Sequence, residues 1–188
     1  MLMRDEAGFG LAERFRAPSG APLGEIFSFL SGLYFRGKTA YSERFSLPPR
    51  NAPPALIITS SRGLLPPDRA ITPRDLLEFA STPIDLREPR YRLPLIADVE
   101  RLATATPAEC GFVLLGSVAS PKYVDLLGSI LGERLLFPPL FAGMGDMQRG
   151  SLLLRAAAAG VELEYLPVAG ATLSFAAGRT RSHRTSDG

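Results

Sequence analysis

Residues 56–68 read LIITSSRGLLPPD, a short apolar run that ends in two serines, an arginine and a glycine before a proline turn. That is the pattern of a buried strand handing over to a small polar loop. Two later stretches repeat it: VLLGSVASPKY at 113–123 and LLFPPLFAGMGDM at 135–147. The run Ala55 to Thr59, with its two isoleucines, predicts a strand covered on both faces. Phe112 to Leu115 and Arg134 to Phe137 predict two more strands, and Val161 to Val168 a last one near an edge. Helical patterns lie between them, so the chain reads as an α/β domain with a mostly parallel sheet and right-handed crossovers.

The helices carry their own signals. From Glu25, the residues Ile26, Phe27, Leu30, Leu33 and Tyr34 recur at three- and four-residue spacings, and Gly32 and Gly37 suggest two shorter helices, the second over Lys38–Phe45. Pro48, Pro49, Pro53 and Pro54 then bracket a linker. Thr72 is placed to cap a helix with Pro73 at its first position and Asp75 completing a capping box, running to about Ala80. Another helix is expected from about Pro94 to Thr104, with Leu95, Val99 and Leu102 on one face. A third enters at Ser120–Pro121, and a fourth begins near Asp146 and closes at Gly160. Residues 1–24 read as a loosely held lead-in, 25–170 as one domain, and 171–188 as a polar basic tail without fixed structure.

Composition excludes several chemistries. The chain has 188 residues, 46% hydrophobic and 21% charged, with a net charge of +2, which is too small a field to imply nucleic-acid binding by itself. Its single histidine, His183, lies in the tail, so Ser-His-Asp and Cys-His catalysis and histidine metal sites are not available to the core. Cys110 is alone and precedes an apolar run, where a small buried hydrophobe is the ordinary reading. No metal or cofactor is expected. No stretch offers the roughly 18 apolar residues of a membrane span, and the N-terminus lacks an apolar signal core, so a cytoplasmic location is expected. Arginine far outnumbers lysine, since only Lys38 and Lys122 occur. A GC-rich genome explains that bias; a functional reason is kept for Lys122 alone.

In open α/β sheets, ligands bind beyond the carboxyl ends of the strands. Three loops qualify here. The first, Ser60-Ser61-Arg62-Gly63, offers two hydroxyls, a guanidinium and a glycine that lets a backbone come close. The second contains Ser117, Ser120, Lys122 and Tyr123 at a helix N-terminus, where free N–H groups favour an anion and Tyr123 could stack on a ring. The third carries Gly143, Gly145, Asp146, Gln148 and Arg149. Gly150 falls two positions too late for a dinucleotide fingerprint, but Asp146, Gln148 and Arg149 could address a base edge. Asp146 is the best candidate for a general acid or base. Each loop also has a plain structural reading as strand exit, N-cap or solvated turn. The tail arginines Arg179, Arg181 and Arg184 could meet phosphate backbones, although such tails are more often simply solvated.

Taken together, LYFRGKTAYSERF, IITSSRGLLPPDRAITPRDL, FVLLGSVASPKYVDLLGSI and FPPLFAGMGDMQRGSLLLR resemble a family of bacterial and phage domains similar to the YaaA peroxide-stress proteins. The resemblance runs from about Leu33 to Arg155. It departs where Ser61-Arg62 replaces the family's alanine-lysine-tyrosine and where Met144 to Met147 interrupts a glycine-rich loop. It implies a Rossmann-like three-layer α/β sandwich with about 4–5 strands, a cytoplasmic location and a link to nucleobase or nucleic-acid metabolism. It supplies no catalytic residue. The favoured expectation is a site for a nucleobase, nucleotide or related small anion, with transfer or hydrolysis at a glycosidic bond through Asp146 as its chemistry. The alternatives are a non-catalytic DNA-associated or protein-interaction stress factor, and an oligomer subunit. Convergence of Arg62, Lys122 and Arg149 on one pocket would favour the ligand; pairing with carboxylates would favour the alternatives.

Overall fold

The computed structural model describes residues 10–116 and 121–169, with Pro121 and Lys122 as backbone alone. The lead-in before Gly10, Ser117, Ser120, the Lys122 side chain and the basic tail lie outside the described residues. The elements in chain order are α1 (Gly10–Arg16), β1 (Ala21–Pro22), α2 (Leu23–Phe45), β2 (Ile57–Ile58), β3 (Leu64–Leu65), β4 (Ala70–Ile71), α3 (Pro73–Ser81), α4 (Pro89–Ala105), β5 (Phe112–Val113), α5 (Pro121–Leu131), β6 (Leu135–Phe137), α6 (Asp146–Ala159) and β7 (Leu166–Pro167). Among these, no helix is long and apolar enough to cross a membrane.

Among the described residues the extended parallel sheet expected from the sequence is absent, and the Rossmann-like sandwich with it. The described strands form three small sheets instead: β1 with β4 and β2 with β3, both antiparallel, and β5-β6-β7, in which only β5 and β6 run parallel. The deciding stretch turns back on itself rather than feeding a crossover. The Thr59 N–H donates to the Gly63 carbonyl at 2.8 Å, and the Arg62 N–H to Thr59 Oγ1 at 3.0 Å. Gly63 sits at φ 58°, a left-handed conformation that glycine adopts without strain and that closes a short hairpin loop. A Cβ there would also fall 2.7 Å from the Pro94 carbonyl oxygen. The close approach that glycine permits is therefore to α4. The Leu64 N–H completes the docking by donating to Asp98 Oδ2 at 2.8 Å.

Signals confined to one turn agree with the structure where the sheet does not. Thr72 donates from both its amide (2.7 Å) and its hydroxyl (2.8 Å) to Asp75 Oδ2, with Pro73 opening α3. α4 begins a turn earlier than expected: the Glu88 carboxylate accepts from the Arg90 N–H, and Pro89 takes the first position. Pro94 consequently lies inside the helix. α6 starts at Asp146 and ends at Gly160, as the sequence indicated.

Among the described residues three apolar clusters form the interior. α1 buries Ala12 and Phe15 against Leu23, Ile26, Ile71 and Phe79, so residues 10–24 are built into the body. α4 and α5 contribute Leu95, Val99, Val124 and Leu127 around Phe137 of β6. The third cluster joins Tyr34 and Tyr41 of α2 to Phe141, Leu153 and Ala156. α2 serves two of these clusters because it breaks at Gly32 (φ 63°, ψ −136°), the first half facing one and the second half the other. Where that second half crosses α6, the backbones touch. A Cβ on Gly37 would lie 2.7 Å from the Gly150 carbonyl oxygen, and one on Gly150 would lie 2.8 Å from Tyr34 Cα. Tyr41 and Tyr165 share a hydroxyl–hydroxyl bond of 2.6 Å, and Tyr41 Oη accepts from the Leu163 N–H at 2.8 Å, tying the C-terminal segment to α2. Arg134 fastens β6 to the end of α4 by donating to the carbonyls of Cys110 (3.0 Å) and Ala103 (3.1 Å) and to the Thr106 hydroxyl.

Candidate ligand cleft

The α2–α6 crossing sets one stripe of α2 against the N-terminus of α6. Tyr34, Phe35 and Lys38, at i, i+1 and i+4 on the second half of α2, lie on one side of it, with Ser31 just before the break at Gly32. They line an open cleft of about 290 Å³. Its other walls are Gly116 beyond β5, Tyr123 in the first turn of α5, and Asp146 at the first position of α6. That volume suits a ligand near the small end of the usual range.

Lys38 is the central group. Its Nζ lies 4.0 Å from the centroid of the Tyr34 ring and 5.9 Å from that of Phe35. Such contacts attract a cation to the ring face. Among the described residues no carboxylate comes within ion-pair distance of it. Burial lowers its pKa from the ordinary lysine value, Asp146 opposes that shift, and Arg149 adds to it. Tyr34 donates its hydroxyl to the Leu115 carbonyl at 2.8 Å. Burial pushes this phenol up to about 12, against the effect of the nearby Arg149. The Arg149 side chain is only 12% exposed. It donates through Nε and Nη2 to the Phe141 carbonyl, both at 3.3 Å, and stands 3.5 Å from Asp146 Oδ1. The Asp146 carboxylate is 75% exposed at the rim.

The remaining residues singled out in the sequence divide by loop. In the first loop, Ser60 is buried and donates to the Phe79 carbonyl at 2.7 Å, while Ser61 donates to Glu78 at 2.6 Å. Arg62 reaches both Asp75 and Glu78 at 2.6 Å. With Gly63 backed onto α4, this loop fastens the β2–β3 hairpin to α3 and α4, and none of its four residues lines the cleft. In the third loop, Gly143 (φ 75°) makes the turn, and Gly145 caps α6 with its N–H donating to Gln148 Oε1 at 3.0 Å. The two glycines and Gln148 thus shape the helix start. Tyr123 and Asp146 do meet in the cleft, with Arg149 beside it. Arg62 and Arg149 do not converge.

The sequence alone does not mark Lys38, Tyr34 and Phe35 as site residues, and it favours Lys122 over Lys38. The available signal was compositional: lysine is rare in this chain, and one of the two sits a turn after a Tyr-Phe pair on a helix. Among the described residues, no group of three His, Cys, Asp or Glu side chains gathers to hold a metal ion.

The Arg62 cluster carries a pH signature. Arg62 and then Ser61 hold the Glu78 carboxyl below its ordinary value. Burial would raise Asp75, but Thr72 and Arg62 together bring it below its ordinary value. For carboxylates lowered in the folded state, the stabilisation is present above the ordinary carboxylate range and is lost as pH falls through the folded values. Arg62→Ala should therefore raise the midpoint of acid unfolding followed by circular dichroism. At neutral pH it should cost less than about 1 kcal/mol, because the pair is partly exposed. An unchanged acid midpoint would show that the pairing adds nothing.

Comparison of the chain with protein-family models, with curated proteins and with solved structures finds no match.

Proposed function

We propose that this protein binds a small anionic ligand carrying a flat ring, of the nucleobase or nucleotide class, in the cleft between α2 and α6. Lys38 carries the reading: a half-buried ammonium in a cleft, held against an aromatic face with no carboxylate of the described residues within ion-pair distance, is a costly arrangement that an anion would relieve. Phe35 and Tyr123 supply faces for a ring. Asp146, the one carboxylate among the described lining residues, can accept from a ring N–H or a sugar hydroxyl. In the same proposal Asp146 assists transfer or hydrolysis at a glycosidic bond. The YaaA-like resemblance belongs to this proposal as well, supported by the fact that three of its four segments supply lining residues: Tyr34, Phe35 and Lys38 from the first, Gly116 and Tyr123 from the third, Asp146 from the fourth. The alternative, in which the loops are purely structural, is favoured at Ser60–Gly63, where every polar side chain is already engaged, and by the pairing of Arg149 with Asp146.

Thermal denaturation in the presence of inorganic phosphate, nucleobases, nucleosides and nucleoside monophosphates tests the proposal. A true ligand at a hundredfold its Kd stabilises by about 2.7 kcal/mol, a rise of roughly 5–10 °C for a chain of this size. The largest rise is expected with a compound that joins ring and phosphate. A flat response across all four classes overturns the reading.

A further inference from the structure

We infer that Lys38 is an imine-forming amine, joining reversibly to the carbonyl carbon of a phosphate-bearing aldehyde or open-chain sugar held in the cleft. The inference rests on the cleft reading above and adds a covalent step to it. Three observations carry it. Lys38 lines the cleft and has no carboxylate within ion-pair distance among the described residues, so no ion pair has to be broken before the amine reacts. It is largely buried beside the Arg149 guanidinium, and burial next to a second cation is the setting that frees a lysine of its proton, against the pull of the Tyr34 ring face at 4.0 Å and of Asp146 on the charged form. It is also one of two lysines among 21 Lys and Arg residues. Where a chain answers nearly every need for positive charge with arginine, a lysine in a cleft is suited to what a guanidinium cannot do, namely lose a proton and form a carbon–nitrogen double bond.

The step balances without an oxidant or reductant. The free amine attacks the carbonyl carbon, a C–N bond forms, and the carbonyl π pair moves to oxygen. That oxygen takes up a proton as the nitrogen gives one up, leaving a carbinolamine. Loss of the hydroxyl as water then gives the imine. Asp146 lines the same cleft and is positioned to relay the proton. Water returning by the same route releases the ligand.

Pyridoxal 5′-phosphate is a suitable probe, since it combines an aldehyde, a phosphate and a ring. The full chain is incubated with equimolar probe and sodium cyanoborohydride, then mapped by peptide mass spectrometry. One pyridoxyl adduct is expected, at least tenfold more abundant on Lys38 than on Lys122 or the α-amine. Lys38→Arg, checked for folding by circular dichroism, should lose it. Even labelling of all three amines, in a protein that phosphate-bearing compounds stabilise thermally, overturns imine formation and leaves the anion site standing. Even labelling with no thermal stabilisation overturns both. An adduct that persists on Lys38→Arg at wild-type yield also overturns the assignment.

Discussion

Gly150→Ala should lower the unfolding free energy by about 2 kcal/mol, although alanine is the better helix former. The intrinsic preference is worth about 1 kcal/mol in alanine's favour. Against it stands a methyl group built 2.8 Å from Tyr34 Cα and 2.9 Å from the Leu33 carbonyl carbon. Both atoms are backbone, so no rotamer change can relieve the contact, and α2 must move away from α6. Overpacking of this kind costs up to about 3 kcal/mol, and the difference sets the net loss. Urea denaturation should show it directly, with a melting temperature lowered by roughly 4–8 °C. The shift carries Tyr34 and Lys38 away from Asp146 and Arg149, so thermal stabilisation by the cleft ligand should fall as well. An alanine variant as stable as the parent would mean that the two helices are not seated this closely.

Lys38→Met should move stability and binding in opposite directions. Methionine keeps an unbranched apolar chain of similar length and removes a charge held partly out of water. A gain of about 1 kcal/mol is expected, the usual size when a residue kept for function is replaced by one suited to its surroundings, after loss of the contact with Tyr34. Ligand affinity should fall about a hundredfold, the equivalent of roughly 3 kcal/mol for a lost charge-assisted contact. The stability gain should also depend on pH. A lysine whose folded pKa is depressed binds fewer protons folded than unfolded, so its penalty is full below the folded pKa and fades as pH rises toward the ordinary lysine value. Parent and variant should thus converge between neutral pH and the onset of tyrosine ionisation near pH 10. Asp146, Arg149, Tyr34 and Tyr123 remain in both proteins. Equal stability and equal binding would remove Lys38 from the site.

How far the sequence could be read depended on the range of the interactions involved. Signals contained within one turn were legible: the Thr72–Asp75 box, the start of α6 at Asp146 and its end at Gly160. The sheet was not, because a buried strand and one arm of a hairpin look alike over five residues. What separates them in 56–68 is the left-handed Gly63 and its seat on Pro94, a contact with a helix some thirty positions later. The same applies to the site. Tyr123 and Asp146 stood out because glycine, proline and helix starts surround them. Lys38 did not, because its meaning depends on Gly37 lying against Gly150. In sequence, Gly37 was a weak point in a helix and Gly150 a misplaced fingerprint residue, and nothing local joins the two.

The Tyr41–Tyr165 bond spans 124 positions and the Tyr34–Leu115 bond 81. Closing loops of that length is slow compared with forming a hairpin or a helix turn. During synthesis, the hydrogen-bond partners that fasten the β2–β3 hairpin to α3 and α4 are all present by the time α4 has emerged. The second half of α2 must wait in water, two tyrosines and a lysine exposed, until α6 has been made. The cleft is then among the last parts of the molecule to exist, and a chain released before residue 150 would present those aromatic side chains to chaperones instead of to a ligand.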